Sequence, residues 1–182
     1  MSYNRVYSVE DINIILCASE HRPRPDKPPG IGKKGHALSL HTEERKDFFS
    51  RPGVPSSKLP KKDSIFLGSR NSLVMAVHEV MNSIPGQNEL AKLNQANVNF
   101  VEIRGVILRQ GNEFDIFTVY RPRGQGEQTS FDWLSIQKGD GYIVQLCILV
   151  FKLPSSKTED IHIQTAFPED YARTLGDEIL RP

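Results

Sequence analysis

The hydrophobic period of this chain changes once, near residue 98, and that change bounds the fold. Ahead of it, Ser8-Val9-Glu10-Asp11 has capping-box character and opens a run through Ile12, Ile15 and Leu16, which predicts a helix over about 9–20. Leu73, Val74, Val77, Val80, Met81 and Ile84 recur at helical spacing and predict a second helix with one buried stripe. His78 lies beside that stripe and is assigned to packing or surface, and Asn88 to Gln95 reads as a further short helix. Beyond the change, Val98–Leu108, Phe114–Tyr120, Ile143–Leu153 and Ile161–Phe167 are β-branched and aromatic and are bounded by turn residues. They predict an antiparallel sheet, with Ser130–Ile136 as a weaker segment that adds a strand or covers the sheet. Helices first and strands afterwards is the α+β pattern, with N-terminal helices packed on a C-terminal antiparallel sheet.

At 182 residues, 38% hydrophobic and 25% charged, the chain reads as one domain, 1–182, able to bury a core without covalent staples. The proline-rich stretches 21–35 and 52–63 read as flexible loops. Cys17 and Cys147 lie far apart in apolar runs, with neither CxxC spacing nor a histidine neighbour. They predict two buried free thiols in a reducing compartment, with one disulfide as the other reading, and no structural zinc site. The strongest apolar run, Ile143 to Leu153, is too short to span a membrane and is interrupted by Gln145 and Lys152. Met1 to Arg5 lacks the apolar region of a signal peptide, which fits a cytoplasmic chain or a domain of a larger exported protein. There is no P-loop, GxGxxG, HExxH or EF-hand motif, so neither a cofactor nor a metal is expected.

The densest chemistry lies in Gly35-His36-Ala37-Leu38-Ser39-Leu40-His41-Thr42, followed by Arg45, Lys46 and Arg51. Imidazole titrates nearest neutrality and serves as base or acid, while neighbouring cations suit a reaction that builds negative charge. Thr42-Glu43-Glu44 predicts a short helix over about 42–50, entered after His41 and closed at Arg51 before Pro52-Gly53. Residues 21–62 carry eleven Lys and Arg against four Asp and Glu, which is either a basic face for a polyanion or a solvated segment. Late in the chain, Ile161-His162-Ile163-Gln164-Thr165-Ala166-Phe167-Pro168 reads as a strand. Alternation puts Thr165 and Phe167 on one face and His162 and Gln164 on the other, and Pro168 ends it. Each residue also has an ordinary role: His41 as a helix-entry residue, His36 bracing a turn, Arg51 as a helix C-terminal cation.

The order of these elements resembles the RNase A-like toxin domains at the C-termini of bacterial contact-dependent inhibition and polymorphic-toxin proteins. In that family a Gly-His-Thr-x-x-x-His segment follows an early helix. A basic residue, a Ser-x-Phe element with a helix, and a late Thr-x-Tyr-Pro strand then complete the site. The counterparts are Gly35-His36 to His41, then Arg51, then Ser64-Ile65-Phe66, then Thr165-Ala166-Phe167-Pro168. Phe167 stands where the family has tyrosine, and Thr118-Val119-Tyr120 is a rival for the late element. The resemblance implies a kidney-shaped RNase A-like architecture and a metal-independent endoribonuclease leaving a 2′,3′-cyclic phosphate, with tRNA or another structured RNA as substrate. It implies His41 as base or acid, His36 as the second proton-transfer group or an orienting residue, Arg51 stabilising the phosphorane, and Thr165 on a non-bridging oxygen. Phe167, Lys46 and Arg45 would contact substrate. It further implies a monomer when free, a cognate immunity protein as partner, and delivery into the cytoplasm of a rival cell. The other readings are a barnase-like or EndoU-like nuclease with a different histidine pairing, and a non-enzymatic RNA- or protein-binding effector using residues 21–62.

Overall fold

Ser8 starts the first helix as its hydrogen-bonding capacity predicts. Its hydroxyl accepts the Asp11 N–H at 3.0 Å and the Asp11 carboxylate accepts the Ser8 N–H at 3.0 Å. The computed structural model describes residues 2–28, 34–42, 62–67, 70–110, 115–120, 130–133, 141–153 and 159–169. In chain order they form α1 (Val9–Ser19), α2 (Ala37–His41), β1 (Lys62–Leu67), α3 (Arg70–Asn82), α4 (Ile84–Lys92), β2 (Phe100–Gln110), β3 (Asp115–Tyr120), β4 (Ser130–Trp133), β5 (Gly141–Lys152) and β6 (Ile161–Glu169). The fold is α+β. No described helix is long and apolar enough to cross a membrane.

Helix α3 buries Leu73, Val74, Val77, Val80 and Met81. It stops because Ser83 caps a new helix, its hydroxyl accepting the Gly86 N–H at 3.2 Å with Pro85 in the first turn. Ile84 therefore belongs to α4, where it is 80% exposed instead of extending the α3 stripe. The short helix expected over 88–95 begins earlier for the same reason. Thr42 is the C-cap of α2, and its hydroxyl donates back to the Leu38 carbonyl at 2.6 Å. Residues 43–50, where the helix was expected, lie outside the described residues.

The described strands pair antiparallel in two three-stranded sheets, β1-β3-β4 and β2-β5-β6. A single sheet of the late strands was expected. Instead β3 leaves it to pair with β1, whose Lys62-Asp63 start falls within the stretch read as a loop over 52–63. Helices α3 and α4 pack on β2, and α1 and α2 pack on β6. The core joins Ile12 and Leu16 of α1, Leu73 and Met81 of α3, and Ile148 and Ile163 of the larger sheet. Fully burying each such side chain contributes about 1.5–3 kcal/mol. Gly105 lets α3 approach β2, since a Cβ there would lie 2.5 Å from Val80 Cγ1.

Strand β6 carries the irregularity that matters for function. Thr165 pairs with Leu149 and Ile163 with Val150, so Gln164 is an extra residue on the β6 side of the ladder. Such a bulge reverses the alternation of faces beyond it. Ile161, Ile163 and Ala166 share the helix-covered face with Ile148 and Val150. His162, Thr165 and Phe167 share the opposite face with Phe151, Leu149 and Cys147, their partners on β5. The expected separation of His162 from Thr165 is thus corrected. Pro168 does not end the strand but pairs with Leu146 inside it. Both cysteines are free thiols, and Cys17, expected to be buried, is exposed on α1.

Candidate active site

Helix α2 is too short to persist alone, and a contact from another helix holds it. Glu20, which follows α1, turns its carboxylate onto the start of α2 and accepts from Leu38 N at 3.0 Å, Ser39 N at 3.2 Å and the Ser39 hydroxyl. A carboxylate at a helix N-terminus satisfies orphan amides and meets the positive end of the helix dipole. No local sequence signal marks Glu20 for this role, because its partners lie 18 and 19 residues away.

The chain reaches α2 through a tight crossing. His21 adopts φ 60°, and the turn beyond it brings Gly35 alongside Glu20 in a parallel bridge. His36 is the N-cap of α2, and its backbone N–H donates to the Gln164 carbonyl at 3.1 Å. Its Nδ1–H donates to the Lys34 carbonyl at 2.8 Å, because a carbonyl oxygen can only accept. His41 ends α2 and is 9% exposed.

The histidine rings and the late strand meet. The His36 and His41 rings have centroids 5.7 Å apart, and the His41 ring lies 5.5 Å from that of Phe167. Thr165, two residues from Phe167 on the same face, is 8% exposed, and its hydroxyl is buried without a hydrogen-bond partner. His36, His41, Phe167 and Thr165 of the expected site therefore occupy one edge of the larger sheet. Arg45, Lys46 and Arg51 lie outside the described residues. The rival Thr118 and Tyr120 sit on β3, paired in register with Ser64 and Lys62 of β1. Within the basic stretch, Arg22 pairs with Glu159 at 3.3 Å and Arg24 with Asp26 at 2.9 Å, which offsets part of the local positive charge.

A third histidine joins the site that the sequence pattern had turned away from it. His162 is fully buried and donates from Nε2 to the Gln164 side-chain oxygen at 3.2 Å, while its Nδ1 has no partner. Burial holds its pKa below 6.5, the nearby Arg22 adds to that, and the bond to Gln164 opposes it. The unfolded chain then takes up a proton near pH 6.5 that the folded chain refuses, so stability falls as the pH drops below that point. Urea unfolding at pH 5.5 is expected to show a lower midpoint than at pH 7.5, with a smaller difference in His162→Gln. An equal difference in the variant removes His162 as the cause.

The fold and site together define an α+β chain with a histidine pair on a short helix, set against an aromatic side chain on a bulged sheet-edge strand. No protein-family model, no curated protein and no solved structure matches this chain.

Proposed function

We propose that this chain is an RNase A-like endoribonuclease domain that cleaves RNA, tRNA foremost, as a toxin acting in the cytoplasm of a rival cell. The observation that carries the reading is the meeting of the His36–His41 pair with Phe167, which shares its strand face with Thr165, across more than half the chain. Cleavage by internal attack needs a base and an acid flanking one phosphate, each within about 3 Å of the atom it serves. His36 and His41, with ring centroids 5.7 Å apart, are the candidate pair. One imidazole takes the 2′-hydroxyl proton, and O2′ attacks phosphorus. The P–O5′ bond breaks, and the second imidazole protonates the departing O5′. The products are a 2′,3′-cyclic phosphate and a 5′-hydroxyl. Arg51 stabilises the phosphorane, Arg45 and Lys46 hold the backbone, Phe167 contacts a base, and a cognate immunity protein blocks the site in the producing cell.

Total tRNA incubated with the chain in EDTA tests the reading. Fragments ending in cyclic phosphate are expected, and intact RNA of every class tried, with tight RNA or protein binding instead, favours the binding effector. Thr165 gives a second, separable readout. A buried hydroxyl without a partner costs about 1–3 kcal/mol, and a phosphate oxygen would satisfy it. Thr165→Val is therefore expected to lower cleavage by about 10²–10³-fold while the melting temperature holds or rises. A loss of stability with unchanged turnover assigns Thr165 to packing alone.

A further inference from the structure

The bulge in β6 leaves Gln164 outside the ladder, and every polar group it presents to the histidine segment is used. Its backbone carbonyl accepts the His36 N–H at 3.1 Å. Its side-chain nitrogen donates to the Lys34 carbonyl at 2.5 Å, and its side-chain oxygen faces His162 Nε2 at 3.2 Å. The Lys34 carbonyl also accepts His36 Nδ1–H at 2.8 Å.

Donor and acceptor rules allow this chain of bonds to run one way only. Lys34 O accepts, so the amide edge facing it is the NH2 and the edge facing His162 is the oxygen. His162 Nε2 must then carry a hydrogen, which leaves Nδ1 bare in the neutral ring and agrees with its having no partner. The opposite tautomer of His162 would reverse the amide and set two oxygens against each other at Lys34. From this geometry we infer that Gln164, oriented by the buried His162, is the positioning residue that fixes His36 with its proton on Nδ1 and Nε2 bare. In the ribonuclease reading, on which its catalytic meaning rests, Nε2 is then the nitrogen of His36 that exchanges a proton with RNA. The tautomer of a working histidine is set by what its other nitrogen bonds.

Gln164 carries no chemistry itself, so its test reads protonation directly. Long-range 15N–1H spectra of the labelled full chain at neutral pH are expected to show His36 protonated on Nδ1 and His162 on Nε2. In Gln164→Ala the Nδ1–H preference of His36 is expected to be lost. Gln164→Glu, which keeps the side-chain volume but sets an oxygen against Lys34 O, is expected to act the same way. Turnover of RNA should fall about tenfold or more with KM little changed, and the pH–rate profile should shift. Wild-type His36 protonated on Nε2 overturns the inference, as does a folded variant that keeps both the tautomer and the rate. A chain that cleaves no RNA but shows the expected tautomers supports the positioning while removing the ribonuclease reading.

Discussion

His41→Ala is expected to lower RNA cleavage by about 10²–10⁴-fold, the usual contribution of one positioned acid or base. His41 closes α2, and its ring sits between His36 at 5.7 Å and Phe167 at 5.5 Å. Truncation removes both a proton carrier and the packing that joins α2 to β6. The two losses are separated by His41→Gln, which keeps most of the bulk and a polar end but titrates nowhere near neutrality. Both variants are expected to lose activity alike, while His41→Gln melts closer to the wild type. The pH–rate profile should lose one limb in each. Undiminished cleavage by a folded His41→Ala places the chemistry elsewhere.

Gly35→Ala is expected to destabilise the fold strongly, because the added methyl meets backbone. A Cβ there would lie 2.1 Å from the Ser19 carbonyl oxygen and 2.9 Å from its carbon, so it meets backbone and not a yielding side chain. Neither partner can retreat without loss. Gly35 N donates to Arg22 O at 2.9 Å, and His21 N donates to Gly35 O at 2.9 Å. Ser19 is held in turn, because its hydroxyl accepts Ile163 N–H from β6 at 3.0 Å. Overpacking costs about 1–3 kcal/mol where side chains adjust, and a backbone collision belongs at the upper end or beyond. For a chain of this size roughly 3 kcal/mol lowers the melting temperature by about 6–12 °C. Calorimetry checks it. A shift under about 2 °C would show that the α1–Gly35 crossing opens without cost.

The two substitutions separate what was legible in the sequence from what was not. The importance of His41 follows from local chemistry: two imidazoles and three cations within a short stretch stand out before any fold is known. The steric need for glycine at position 35 is not legible there, since it comes from Ser19 sixteen residues earlier and His162 at the far end of the chain. The roles of Glu20 and Gln164 were not legible for the same reason. Each is an ordinary polar residue until the fold sets a helix N-terminus or a histidine beside it.

The capping box at Ser8, the apolar stripe of α3 and the β-branched runs of β2, β5 and β6 are written within a turn or two of each residue. For that reason the sequence by itself determined α1, α3, the late strands and the α+β class, while β1, which precedes α3, starts in a stretch that reads as a loop. Pairing is another matter. The withdrawal of β3 to join β1 and the extra residue at Gln164 are settled between segments far apart in the chain. A period-two pattern cannot announce where it will slip, because the slip is decided by the partner strand. The tertiary structure alone therefore turned His162 onto the face of Thr165 and Phe167 and aimed Gln164 at His36.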